Sequence, residues 1–182
     1  MVTRQTPRRA PKPLDSARLE ELALAYVARF ATSAAKLEAY LRRKLRERGW
    51  EGKGEPPVAA LAARFVASGY VDDLAYAKAK TGGLLRRGYG ARRIAQSLHA
   101  AGIAEAVREE VRPDHHAQRA AALALARKRR FGPFGAAPLD RPAREKQIAA
   151  ILRAGHPLDS ARRLVDALSE EAALAWAAGD DE

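Results

Sequence analysis

The sequence predicts an all-α protein built from three tandem three-helix repeats that form an elongated, curved array. Three observations carry that expectation. Gly49, Gly102 and Gly155 lie 53 residues apart, and each closes a run of helix-spaced apolar residues, where a glycine can adopt the left-handed cap. The chain is 47% hydrophobic but only 6% aromatic, so its apolar share is mostly Ala, Leu and Val, which favours helices packed through small side chains. No stretch alternates with period two for long enough to make a strand.

The first unit opens with Asp15 and Ser16 as caps, before a stripe of Leu19, Leu22, Ala23, Tyr26, Val27 and Phe30. Ser33 caps a second helix, which buries Leu37, Tyr40, Leu41 and Leu45 and ends at Gly49. Pro56 and Pro57 open a third, with Val58, Leu61, Ala62, Phe65 and Val66 inward and Gly69 at its close. In the second unit Asp72 caps a helix bearing Leu74, Ala77, Thr81, Leu84 and Leu85. A helix with Ile94, Leu98 and Ala101 follows, then a short one from Ala104 to Val111 that stops at Pro113. The third unit starts near Asp114 and runs through Ala120, Ala121, Leu123, Ala124 and Leu125. Its last two helices carry Ile148, Ile151 and Leu152, then Ala161, Leu164, Val165 and Leu168. Where the other copies have Leu or Ile, this one has Gln147, with Ile148 beside it to supply the apolar contact.

The expected organisation is a disordered basic tail over 1–14 and repeats over 15–69, 70–112 and 113–168. The last repeat holds a loop insertion at 131–142, and an acidic tail covers 169–182. Units this small bury little surface alone, so stacking must supply a shared interface.

Composition excludes several chemistries. With no cysteine there is no disulfide framework, thiolate zinc site or iron–sulfur cluster. The histidines (His99, His115, His116, His156) lack metal-ligand spacing. Asp72 and Asp73 point about 100° apart on a helix, so a cap and a first-turn acid explain them better than paired catalysis. No nucleophile elbow or phosphate-binding glycine loop is present. The sequence therefore suggests no enzyme, no cofactor and no metal. Nor does any stretch approach the ~18 apolar residues of a membrane helix. The proline-broken N-terminus does not read as a secretory signal, and a soluble, cytoplasmic monomer is expected.

Charge is the informative quantity. Lys and Arg number 33 against 22 acids, a net of +11, while Asp166 to Glu182 holds six acids and no base. So basic a helical body attracts polyanions, nucleic acid first among them. The excess of Arg over Lys is also what a GC-rich genome produces. Three clusters recur at similar places. Arg42, Arg43 and Arg46 lie on the second helix, with Lys44 and Arg48. Arg86, Arg87, Arg92 and Arg93 flank Tyr89 in the second unit, with Lys78 upstream. Arg127, Lys128 and Arg130 end the first helix of the third unit, with Arg129 between them. Each cluster suits phosphates or acidic side chains, and each also suits a solvated helix face or a helix C-terminus. Tyr89 suits base stacking, a partner contact or the core.

The stretch Gly69-Tyr70-Val71-Asp72-Asp73-Leu74-Ala75-Tyr76-Ala77, followed by Gly88-Tyr89-Gly90, Ile94, Leu98 and Gly102-Ile103, resembles the central signature of the RecX family. Ala25-Tyr26 through Gly49 resembles that family's first repeat, and Gln147 to Leu168 its third, so the likeness spans roughly residues 15–168. The chain departs from the family at 131–142, at its acidic end, and at Gly155-His156-Pro157, where the family more often has an aromatic residue after the glycine. The resemblance implies a non-enzymatic regulator of the RecA recombinase, seated in the groove of the RecA–single-stranded DNA filament. Such a protein blocks filament growth or promotes disassembly, and so suppresses ATP hydrolysis, strand exchange and co-protease activity. A stand-alone DNA-binding helical module and a merely soluble helical scaffold are the other readings of the residues. The acidic end has the sign needed to screen the basic face of the free protein.

Overall fold

The computed structural model describes residues 12–136 and 139–179, and all its regular elements are helices. No helix among the described residues is long and apolar enough to cross a membrane. The chain divides into two compact units, Met1–Asp72 and Asp73–Glu182.

The first unit holds α1 (Ser16–Val27), α2 (Ala34–Arg48) and α3 (Val58–Ala67). The Asp15 carboxylate accepts from the Arg18 amide at 2.8 Å and the Ser33 hydroxyl from the Lys36 amide at 3.3 Å, satisfying donors that a helix start leaves free. Leu19, Ala23, Leu37, Leu41, Leu61 and Phe65 form the core, with Tyr26 stacked on Tyr40 at 4.2 Å between ring centres. Leu14, placed in the N-terminal tail by the sequence reading, is fully buried. Its amide donates to the Gly49 carbonyl at 3.0 Å and its carbonyl accepts from the Glu51 amide at 2.9 Å. Lys12 and Pro13 are exposed, and residues 1–11 of that tail lie outside the described residues. Two stripe residues are corrected. The helix ends at Val27, which leaves Phe30 exposed against the edge of Tyr26, and Val66 turns to solvent past the inward face of α3.

The second unit contains α4 (Asp73–Arg86), α5 (Ala91–His99) and α6 (Glu105–Glu110), then α7 (His115–Arg129), α8 (Arg141–Arg153), α9 (Leu158–Val165) and α10 (Glu170–Ala178). Ala77, Leu84, Ile94, Leu98 and Ile103 pack one core, while Leu125, Ile148, Ile151, Ala161 and Val165 pack another. On α7 the buried alanines are Ala122 and Ala126 beside Ala121, not Ala120 and Ala124. A run of alanines does not mark its own inward face.

Three further segments differ from expectation. The insertion at 131–142 carries a 3-10 turn, Gly132–Phe134, and α8 already begins at Arg141 with Asp140 capping the Ala143 amide. Gln147 explains itself here: its side-chain oxygen accepts from the Gly132 amide at 2.8 Å and pins the insertion, while Ile148 takes the buried place. Leu168 lies beyond the end of α9 and is 99% exposed. The supposed acidic tail is helical, because Ala173, Trp176 and Ala177 bury against Ala122, Ala126 and Leu164. Arg119 donates to the Trp176 carbonyl at 3.0 Å and covers its ring. Ser169 caps α10, with Glu170 and Glu171 facing the positive end of its dipole. Residues 180–182 lie outside the described residues.

What joins the second and third triplets is an approach of bare backbone. A methyl group at Gly90 would sit 2.4 Å from the Gly155 carbonyl oxygen, and one at Gly155 would sit 2.5 Å from the Arg93 nitrogen. The Gly90 amide donates to the Ala154 carbonyl at 3.0 Å and the Arg92 amide to that of Gly155 at 3.3 Å. His156 is buried beside this joint, its Nε2 2.9 Å from the Gly88 carbonyl oxygen. Since a carbonyl only accepts, Nε2 carries the proton of the neutral ring. Burial lowers the His156 pKa below its usual 6.5, outweighing the opposing effect of the Gly88 hydrogen bond. The neutral form is therefore the one the fold favours. Its stabilisation is complete above the unfolded value of 6.5 and is lost as pH falls from there through the lower folded value.

Three outcomes follow from urea unfolding, with the second unit read through Trp176 in a Trp50→Phe background. Gly155→Ala costs more than about 3 kcal/mol, because strained φ and backbone overlap add. Gly49→Ala, at a positive φ with open space around it, costs only about 1 kcal/mol when read through Trp50. Between pH 7 and pH 5, the second unit of the wild type loses stability that His156→Phe does not lose.

Candidate nucleic-acid interface

The three basic clusters have different fates. On α2, Arg42 is paired with Glu38 at 2.5 Å, Arg43 with Glu47 at 3.5 Å and Lys44 with the same Glu47 at 2.6 Å. Lys44, with Arg43 and Arg46, holds the Glu47 carboxyl below its usual value. Arg43 also lies over the Tyr40 ring at 5.5 Å. Arg46 alone of the three predicted residues has no ion pair among the described residues. Glu38 and Glu47 between them hold Arg42, Arg43 and Lys44, so these three cations are engaged although the helix stays net positive.

In the second unit the chain brings three helix ends together. Arg87 and Tyr89 follow α4, Lys128 and Arg129 end α7, and Arg153 ends α8. With Leu125, Ala150 and Ala154 as floor, these five side chains line one groove, and no carboxylate among the described residues lines it. Bases collect at helix C-termini because the backbone carbonyls there present partial negative charge. Convergence of three such termini turns that local preference into a concentrated positive field. The Arg87 Nε donates to the Gly83 carbonyl at 3.1 Å, which aims its guanidinium over the Tyr89 ring, 5.8 Å from its centre. Lys128, Arg129 and Arg153 are exposed and make no ion pair among the described residues. Tyr89 is half-buried, its body against the core around Leu98 and its ring on the groove wall.

The remaining expected residues lie apart from this groove. Arg92 donates to the Leu152 carbonyl at 2.8 Å and helps close the joint. Arg93 gives its backbone to Gly155, while its side chain is exposed. Lys78 pairs with Glu110 at 3.5 Å, Arg127 covers Phe134 at 5.7 Å, and Arg130 takes the left-handed cap of α7 with φ 54°. Arg86 is exposed at the end of α4. Arg153 and Arg129 line the groove beyond the contacts the sequence predicts, Arg129 having been placed only within the third cluster. The one signal for Arg153 was its place two residues before the repeat glycine. No group of His, Asp and Glu able to hold a metal ion occurs among the described residues.

A model of the second three-helix domain of RecX proteins matches residues 72–111. The regulatory protein RecX of Myxococcus xanthus is 34% identical over 165 residues, covering 86% of this chain and 88% of that protein. This chain belongs to the RecX family. The Thermus thermophilus RecX is 40% identical over 101 residues, 56% of this chain and 68% of its own. The crystal structure of RecX from Lactobacillus salivarius shares the fold, with a TM-score of 0.64 at 17% identity over 82% of this chain and 94% of that one. The all-helical, three-helix-repeat fold is thus that of RecX. The matched second domain contributes Arg87 and Tyr89 to the groove, and the helices after it contribute Lys128, Arg129 and Arg153.

With an oligothymidylate as polyphosphate probe, Arg87→Glu combined with Arg153→Glu weakens binding about tenfold or more at low salt and reduces the salt slope by about 1.4. Arg42→Glu combined with Arg43→Glu changes binding less than about threefold, because those cations already have partners. Equal losses from the two pairs would remove the groove as the anion site.

Proposed function

We propose that this protein is a non-enzymatic regulator that binds the RecA–single-stranded DNA filament. It modulates, and mostly inhibits, recombinase ATPase, strand exchange and co-protease activity, by groove binding, capping or destabilising the filament. Its relatives are called regulatory protein RecX, and membership of that family supports the role. The observation that carries the reading is the acid-free groove of Arg87, Lys128, Arg129 and Arg153. A filament offers both a regular phosphate backbone and protein side chains, and such a groove fits the phosphate. The ion-paired face of α2, where Glu38 and Glu47 hold Arg42, Arg43 and Lys44, suits the protein side chains, where orientation counts for more than net attraction. In this reading the protein works in the cytoplasm as a monomer and needs no cofactor.

A second reading has its own support. Tyr89, framed by cations, is the arrangement that stacks a base while holding the adjacent phosphate, which suits a stand-alone single-stranded or duplex DNA-binding module.

One titration separates the two. RecA ATPase on circular single-stranded DNA is measured at fixed salt against increasing amounts of this protein. The regulator reading expects inhibition at substoichiometric ratios to recombinase, before the free DNA is covered. Inhibition only at DNA-saturating ratios supports the module, and none at any ratio removes the regulator.

A further inference from the structure

We infer that His156 is a positioning residue for the basic groove, holding the Gly88–Gly90 turn against the Ala154–His156 turn only while its ring is neutral. The inference rests on the reading of that groove as the anion site. Tyr89 lies between the two points at which this joint is fastened. On one side the Gly88 carbonyl accepts from His156 Nε2 at 2.9 Å, and on the other the Gly90 amide donates to the Ala154 carbonyl at 3.0 Å. Arg87 precedes the first fastening and Arg153 the second, so the joint fixes the distance between the two walls of the groove.

The ring has no means of accommodating a second proton. Its Nδ1 is buried and has no hydrogen-bond partner among the described residues, so an added N–H would face no acceptor there. Glycine on both sides leaves no slack, since Gly88 is tight against Leu125 and Gly90 against Gly155. The charged groups on the elements meeting there are almost all positive. The turn after α4 carries Arg87 beside the neutral Tyr89, and α5 carries Arg92 and Arg93. Lys128 and Arg129 end α7, and Arg153 ends α8. The nearest acid along the chain is Asp159, exposed in the first turn of α9. Protonation would thus bury a cation beside a cationic groove, and separating the two turns relieves it.

The test uses the full chain and a fluorescein-labelled 20-nucleotide oligothymidylate, followed by anisotropy at pH 7.5, 6.5 and 5.5 at constant ionic strength. His156→Gln keeps a donor for the Gly88 carbonyl but does not titrate. It is expected to bind within about threefold of wild type at pH 7.5, whereas between pH 7.5 and 5.5 the wild type loses affinity that the variant keeps, by at most about tenfold, as its competent fraction falls. Exposed His99, His115 and His116 are present in both proteins, so their contribution cancels. Parallel pH profiles overturn the inference. Hydrogen exchange on the unmodified protein gives a readout that needs no variant. Protection of the Gly90 and Arg92 amides falls with pH while that of Leu41 in α2 holds, and unchanged protection at Gly90 and Arg92 likewise overturns it. Failure of the wild type to bind the oligonucleotide at pH 7.5 removes the anion-site reading instead and leaves the exchange measurement to decide the joint.

Discussion

The close passage of Gly90 over Gly155 governs the second unit. Helices rich in alanine bury little apolar area each, and a three-helix unit of this size has difficulty offsetting its ordering entropy. Two triplets that share one interface overcome that deficit, but only if their backbones approach more closely than side chains permit. Glycine on each side allows it, and backbone hydrogen bonds from Gly90 and Arg92 then replace what side-chain packing would have supplied. The ends of α4, α7 and α8 are gathered as a consequence, and the bases that each helix carries in its last turn become neighbours. Local electrostatics put each base where it is, and packing makes a site of them.

A net charge of +11 would by itself suggest a uniformly positive surface, and the distribution is otherwise. On α2 each of Arg42, Arg43 and Lys44 has a glutamate three or four residues away, the spacing at which helix side chains meet. The ends of α7 and α8 have none at that spacing: Arg127 to Arg130 is an unbroken basic run, and the residues around Arg153 are Leu and Ala. Cations already in pairs gain little from a polyanion, because binding must first break a pair. Unpaired ones displace the counterions condensed on the polyanion. The same residue type at comparable positions in different triplets therefore has different capacity for phosphate.

Much of the fold was legible because its signals are local. Asp15 and Ser33 cap helices as their side chains imply, α7 starts directly after Asp114, and Gly49, Gly102 and Gly155 all adopt positive φ, as the 53-residue register expects. The failures are tertiary. Phe30 and Leu168 continue a helical stripe on paper, yet each lies past the end of its helix. The 169–182 segment read as a tail from its acids, although what folds it is Trp176 meeting alanines on α7 that no periodicity identifies. Gln147 looked like a lapse in the repeat until its partner, the Gly132 amide, was fifteen residues away in the insertion. For the site, the clusters were visible and their sorting was not, since pairing on α2 and convergence at the groove are properties of placement.

The three copies of the repeat glycine show why equal spacing need not mean equal function. Gly49 needs its freedom only for its own backbone, with open space where a side chain would be. Gly155 has a further constraint, because the backbone of Arg93 occupies that space. Here the residue after the glycine gains meaning: His156 reaches the Gly88 carbonyl from this position, and an aromatic hydrocarbon there could fill the volume but not make the bond. A ring that donates on one edge and leaves a bare nitrogen on the other accepts a titratable group into the interior for the sake of one directed contact. Unlike apolar packing, which tolerates small slips, that contact fixes the Gly88–Gly90 turn at one point. A groove whose walls come from separate triplets needs such a fixed point if its cations are to stay at one spacing.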